Sequence, residues 1–476
     1  ANNLTVASDR RQEANVAAGA VGIGGKVGIG FGMAVNIVGG DSKALIGNDL
    51  SDAADTRTTL VNVTDLTLDA QRLENVNSHA FGAGISGGFG GAAMIDVTEF
   101  RGETRAAIHG KSNGVGGFRT SIRGMDGIGA ASNVTLSAQE ILDARQFALG
   151  IGVGAKVGVG VVANVVLGRS QVYSEVVGAD IKAGLLDIDA TSQRQSDLTS
   201  IAGAGGVVSA AVSIGVALFG QGDTTADDGT NAEDEFDPSR SAVNTVLQTD
   251  TASFNSHLSS EDIAAIEADS GSTIERTAAP ANSTTTDVGK SLKISGESVT
   301  AARISGGVID VDTLNVNSRA LLHNNQLLGA AQVSAVGIAG VIGITRMYDM
   351  SIATVDSNLT ADNVVVGATI ENVSDEDAAG ESKSVIVGLG GVSVVVNYVD
   401  IRAENRVVAG VTAASGSDTG DLIVTAADTT ELRIGDVDPG RPDSATDGSL
   451  NVNLGSAAIS VSYGYVKKDS QVDAWL

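Results

Sequence analysis

The chain has 476 residues and carries 30 lysines and arginines against 57 aspartates and glutamates, a formal net charge of −27. So acidic a chain repels nucleic acid, and we expect no nucleic-acid partner. The chain has no cysteine, which excludes disulfides, thiol catalysis and thiolate metal sites, and its 42% apolar content is too high for a disordered protein.

A short apolar segment that ends in a small residue recurs along the chain, first as "LTVAS" and next as "LTLDA". The copies lie 50 to 68 residues apart, except that one spacing is about double the others. A degenerate copy or an insertion is therefore expected between Leu186 and Leu314. The copies begin at Leu4, Leu66, Val134, Leu186, Leu314, Val364 and Leu422.

A glycine-rich segment with alternating large and small side chains follows these copies. In the first copy the large residues from Val21 to Ile37 occupy odd positions, and the even positions hold mainly glycine and alanine. A period of two predicts a β-strand with two unlike faces. We expect the aliphatic face to form the core and the glycine face to be open to close approach by a second sheet or another chain.

Pairs of small residues divide the glycine-rich segments. An undivided strand of sixteen residues would be roughly 53 Å long, far longer than usual, which predicts a bend, a bulge or a change of sheet at each pair. After Val364, the parity of the large residues shifts across the pair, which indicates a bulge. The pairs are Gly24-Gly25, Gly87-Gly88, Gly154-Ala155, Gly205-Gly206 and Gly390-Gly391.

One copy is too small to bury its own apolar face, whereas copies stacked along an axis bury it against each other. The predicted fold is therefore all-β: an elongated β-solenoid, or β-helix, of about seven degenerate repeats of 50 to 68 residues. Stacking also tends to superpose like residues. Asn36, Asn164 and Asn397 are predicted to form a structural amide ladder, with Asp96 and Thr345 at the equivalent step of other copies.

Residues 220–291 differ from the rest, because they hold the acidic run "DTTADDGTNAEDEFDPSR" and because "LSSEDIAAIEADS" has the pattern of a capped helix. We expect solenoid repeats over 1–219, an acidic insertion over 220–291 that is partly helical or disordered, and solenoid repeats over 292–476. The sequence of the insertion has no EF-hand motif. Its carboxylates either form an irregular Ca²⁺ site or are solvated. We expect no other cofactor. The candidate metal ligands are Asp223, Asp227, Asp228, Asp234 and Asp237.

The sequence carries no zinc-protease motif. Its four histidines are scattered, and no HExxH motif occurs. We do not expect an enzyme. One alternative is a β-helical glycan-degrading enzyme, in which carboxylates from successive repeats would converge. A second is an outer-membrane β-barrel, although the inner face of such a barrel is normally polar and the small face here is glycine and alanine. The apolar run 147–168 carries Lys156 and many glycines, so we do not expect it to span a membrane as a helix.

The recurrent "LTVxA", "AxGxGVGGxVGVGxAVNxV" and "SxAxIG" segments resemble the repeat regions of giant secreted bacterial adhesins, both filamentous-haemagglutinin-like and leukotoxin-type. The resemblance covers most of the chain outside residues 220–291. It implies a segment of a long cell-surface or extracellular fibre that mediates adhesion or the assembly of a filament or matrix. The expected partners are further copies of the chain, through lateral or head-to-tail contacts, and a glycan or protein receptor on a host cell, a neighbouring cell or the matrix.

Overall fold

The computed structural model describes residues 2–48, 57–111, 118–220, 298–374, 378–413, 418–434 and 450–476. Within these ranges the chain contains strands and no helix, so the predicted all-β class is confirmed. Residues 221–297, which include the predicted helix and all five candidate Ca²⁺ ligands, lie outside the described residues.

The strands are Asn3–Gly24 (β1), Val27–Gly39 (β2), Ser42–Gly47 (β3), Thr59–Asn62 (β4), Asp65–Ser86 (β5), Phe89–Arg101 (β6), Glu103–His109 (β7), Thr120–Arg123 (β8), Ala131–Gly154 (β9), Val157–Gly168 (β10), Gln171–Val177 (β11), Ala179–Phe219 (β12), Ser298–Asn372 (β13), Gly380–Ala413 (β14), Asp418–Asp428 (β15), Leu432–Ile434 (β16) and Leu450–Trp475 (β17).

The strand pairs in the described ranges are parallel, and they join equivalent copies of the recurrent segments. β1 pairs with β5, β5 with β9, β9 with β12 and β12 with β13. In this ladder the residues that open five copies are successive partners: Leu4, Leu66, Val134, Leu186 and Leu314. We call the strands between one such residue and the next a rung.

The double spacing between Leu186 and Leu314 reflects an insertion and not a degenerate copy. Leu186 pairs directly with Leu314, and Phe219, at the end of β12, pairs with Met347. Beyond the gap, Val299 pairs with Gln171 of the preceding rung. The 77 residues from 221 to 297 therefore interrupt a single rung between its second and third strands.

Within a rung the chain doubles back at the paired small residues. β1 ends at Gly24 and β2 begins at Val27, so that the two strands form opposite walls joined by a tight corner. In later rungs the strand continues through the corner, but the pairing skips one residue, at Val207, Ala335 and Gly391. The predicted change of direction at these pairs is confirmed.

The interior has a wide part and a narrow part. In the wide part, the third and fourth strands of each rung cover the start of the first strand, and Leu66, Leu68, Ile108 and Ile122 are fully buried there. The narrow part lies near the corners and holds a separate cluster of mostly small residues with Met94 among them. The two parts differ because the walls converge towards the corner.

Candidate interaction surface

The glycine-rich segments bury their small face and not their aliphatic face. A β-carbon on Gly84, Gly90 or Gly152 would overlap a backbone oxygen of the opposite wall. By contrast, Phe81 and Ile151 are 49% and 40% exposed. The expectation that the aliphatic face lines the core is wrong in this part of the rung, because the walls approach so closely that only hydrogen atoms and methyl groups fit between them.

The direction of these side chains follows from the continuity of β5. β5 runs without interruption for 22 residues, and its even-numbered Leu66 and Leu68 are in the core. Because side chains alternate along a strand, Gly84 must then point inwards and Phe81 outwards. The sequence predicted two separate segments here, so this continuity is a finding of the structure.

The outward positions of the first strands just before the corner form a continuous apolar surface, which we call the corner face. Its side chains are aliphatic residues, phenylalanine, alanine and glycine, without a polar or charged group. Stacking of equivalent positions places them in columns across the rungs. The corner face consists of Gly19, Val21, Ile23, Phe81, Ala83, Ile85, Leu149, Ile151, Val153, Ile201, Gly203, Gly205, Gly329, Ala331, Val333, Val385, Val387, Leu389, Leu450, Val452 and Leu454.

The second strands also have large outward side chains, but in the inner rungs these side chains are less exposed to solvent. Ile29 and Phe31 of β2 are exposed, whereas Val212 of β12 and Ile342 of β13, at outward positions of later rungs, are buried. On the corner face, Ile151, Val333 and Val385 of inner rungs each remain at least 40% exposed. The corner face is therefore the apolar surface that is accessible along the stack.

The three asparagines predicted to form one ladder do not stack on each other. Asn36 pairs with Thr98 and donates to its hydroxyl from Nδ2 at 3.2 Å, while Asn397 lies between Val341 and Ser462. Asp96 does pair with Asn164 as expected. The ladder fails because Asn36, Asn164 and Asn397 lie nine, seven and five residues after the equivalent residues Val27, Val157 and Val392. Distances that differ by two keep the side chains on the inner face but in separate columns.

These asparagines belong instead to a polar seam between the wide and narrow parts of the interior. Gln146 Nε2 donates to Thr98 Oγ1 at 2.8 Å and to Asp96 Oδ1 at 3.3 Å. Asn164 Nδ2 donates to the Thr199 carbonyl oxygen at 2.8 Å. Burial raises the pKa of Asp96 to about 6. The amide N–H groups of the seam link neighbouring rungs and so restrict how the rungs can slide, whereas Asp96 Oδ2, Gln146 Oε1 and Asn164 Oδ1 accept no hydrogen bond within the described ranges.

A charged network joins three rungs on the outside of the third strands. Glu175 of β11 accepts from Arg105 Nη1 of the preceding rung at 2.5 Å and from Arg303 Nε of the following rung at 2.6 Å. His109 Nε2 lies 2.9 Å from the same carboxylate. Burial tends to raise the pKa of Glu175, but these partners outweigh that effect and lower it to about 2. The carboxylate is therefore ionised at neutral pH and links the rungs.

Glu74 is a buried carboxylate without a close partner. Its nearest cations, Arg10 Nε and Arg72 Nη1, each lie 3.9 Å from Oε1, and neither carboxylate oxygen accepts a hydrogen bond within the described part of the chain. Burial raises the pKa of Glu74 to about 7, although Arg72 acts in the opposite direction. The charged form is therefore disfavoured in the folded state.

Replacing Glu74 with glutamine is expected to stabilise the protein at alkaline pH. The folded state binds a proton on Glu74 up to about pH 7 and the unfolded state only to about 4.5, so wild-type stability falls as the pH rises through this window. At pH 8 Glu74→Gln should gain at most roughly 3 kcal/mol over wild type, and near pH 4.5 almost nothing. Urea unfolding at both pH values measures this; an equal effect at both would contradict the assignment.

The described ranges contain strands only, and so no helix in them is long and apolar enough to cross a bilayer. The same ranges contain no group of three or more histidine, aspartate or glutamate side chains placed to hold a metal ion. What the described part of the chain presents is an extended surface.

Comparison with known proteins assigns no relative. No protein-family model matches this sequence, and no curated protein and no solved structure matches it significantly.

Proposed function

We propose that the chain is an elongated β-solenoid of seven rungs that serves as a structural stalk or fibre of a secreted or cell-surface bacterial adhesin. The observation that carries the proposal is the continuous parallel register, in which Leu4, Leu66, Val134, Leu186 and Leu314 are successive partners. A backbone hydrogen bond from Val373 N to Leu322 O at 3.1 Å continues the stack, and Val364 pairs with Leu422. The recurrent segments resemble those of giant secreted adhesins, which supports this role.

The architecture suits a part that carries tension along its axis. All 22 residues of β5 pair with β9, so one rung is held to the next by a long row of hydrogen bonds along the stacking axis. The network around Glu175 adds ionic links between the same rungs. Since these contacts act in parallel, a rung detaches only when many of them break.

The acidic, cysteine-free composition fits an extracellular fibre. A net charge of −27 keeps an apolar-rich polymer soluble, and the absence of cysteine avoids intermolecular disulfides in an oxidising environment. The described residues include a long, repeated apolar surface, the corner face. A role that depends on a long, repeated surface is therefore favoured over catalysis.

The adhesin role is tested by locating the chain and measuring its binding. Antibodies against the chain are expected to label intact, unpermeabilised producing cells or extracellular fibres. Beads coated with the chain are expected to bind host cells or matrix glycans more strongly than beads coated with a Gly152→Val variant, whose packing is disrupted. Labelling that appears only after permeabilisation would overturn the extracellular assignment.

A further inference from the structure

The corner face has a trough beside a ridge. In two neighbouring rungs four of its six positions are small, namely Gly203, Gly205, Gly329 and Ala331, and the other two are Ile201 and Val333. In the next two rungs the same columns hold six large residues, which form the ridge. The ridge consists of Val385, Val387, Leu389, Leu450, Val452 and Leu454.

The trough is open to solvent and has room for a side chain. A β-carbon on Gly203 would lie 3.5 Å from Ile151 Cγ1, and one on Gly329 would lie 3.6 Å from Ile201 Cγ1, both ordinary contacts. Beside the trough, Val333 is 59% exposed. The trough therefore differs from the inward glycines, where the opposite wall leaves no space.

We propose that the corner face packs against the corner face of a second copy of this chain, with the ridge of each copy in the trough of the other. The trough and the ridge each comprise two of the described rungs and lie side by side. A twofold axis that runs between them along the strand direction therefore places the trough of each copy opposite the ridge of the other, with Ile201 and Val333 opposite the partner's Leu450 and Leu389. Gly203 then faces the partner's Val452, and Ala331 faces the partner's Val387. Such an isologous contact is closed and gives a dimer.

The size of the overlap favours a second copy as the occupant. Four rungs at about 4.8 Å and five outward columns at about 6.7 Å cover roughly 600 Å² on each copy, near the lower end of specific interfaces. The two columns beyond the corner face are mainly polar, although one of them holds Leu327, and in the other Asn325 faces the partner's Glu381. A neutral lipid surface is the alternative occupant, and vesicle binding distinguishes it from a second copy.

The dimer is tested by analytical ultracentrifugation of the full chain and two matched variants. Wild type is expected to sediment as a dimer of the 47.7 kDa chain at micromolar concentration. Val385→Lys places a charge on the ridge and should weaken association at least roughly 100-fold. Ile423→Lys replaces a comparably exposed residue outside the corner face and should leave the dimer intact.

Cross-linking tests the register of the two copies. Because the chain has no cysteine, Gly203→Cys and Val452→Cys variants can be mixed and treated with a short bis-maleimide. The mixture should yield cross-linked dimer and Gly203→Cys alone should not. The proposal would be overturned if wild type were monomeric or if Val385→Lys left the dimer unchanged. It would also be overturned if a monomeric chain bound neutral vesicles and Val385→Lys abolished that binding.

This inference rests on the stacked architecture and deepens the proposed function by naming a lateral partner. Its failure is distinguishable from failure of the adhesin role. A monomer that still labels the cell surface would refute only the dimer, and a dimer confined to the cytoplasm would refute only the adhesin.

Discussion

Gly152→Ala is expected to destabilise the protein by roughly 3 kcal/mol or more, although it adds a single methyl group. The new β-carbon would overlap the carbonyl oxygen of Val159, which belongs to the opposite wall of the same rung. Backbone atoms on both sides are fixed by the ladders that join three rungs, so the walls cannot separate locally. Urea and thermal unfolding monitored by circular dichroism measure the loss.

Gly203→Ala is the matched control for this substitution. Gly203 lies in the next rung, pairs with Ile151 and points outwards into open space. In the unassociated chain its replacement should be neutral or stabilising by up to about 1 kcal/mol, because alanine restricts the unfolded chain more than glycine does. Equal losses in the two variants would show that glycine is needed for backbone conformation and not for close approach of the walls.

Asp349→Ala is expected to cost roughly 3 to 5 kcal/mol, because it leaves a buried guanidinium without its counter-ion. Arg194 Nη1 forms an ion pair with Asp349 Oδ1, and both side chains are fully buried between adjacent rungs. Burial lowers the pKa of Arg194 only to about 10, so the residue keeps its charge at neutral pH. Ser192 Oγ, which accepts from Nη2 at 2.8 Å, does not neutralise that charge.

The double variant Arg194→Met, Asp349→Leu separates the pair from its surroundings. Apolar side chains of similar volume need no counter-ion, so the double variant should recover most of the stability that Asp349→Ala loses. Denaturant unfolding of wild type, Arg194→Met, Asp349→Leu and the double variant completes a thermodynamic cycle. Additive losses would contradict a direct interaction between the two side chains.

Much of the strand arrangement was accessible from the sequence. The spacing of Leu4, Leu66 and Val134 predicted the residues that pair across rungs, because hydrogen bonding between parallel strands repeats once per copy. The small pairs such as Gly24-Gly25 predicted the corners, because an uninterrupted strand of that length is rare. The doubled spacing had two interpretations, and the pairing of Leu186 with Leu314 selects the insertion.

The candidate surface was less accessible, for a physical reason. Alternation reveals that Phe81 and Gly82 lie on opposite faces, but an aliphatic face and a glycine face can each be buried. Which one is inside depends on the distance between the walls, and that distance follows from contacts far apart in sequence. The column of each buried asparagine likewise depends on its distance from a corner, so similar local motifs around Asn36 and Asn164 did not give similar neighbours.

Taken alone, the sequence determined the strand period, the repeating unit, the corners and the acidic surface, since each of these follows from local alternation, spacing or composition. The tertiary structure decided which face of the glycine-rich strands is buried. Near the corners the two walls approach so closely that mostly small side chains fit between them, and the aliphatic side chains point outwards to the corner face.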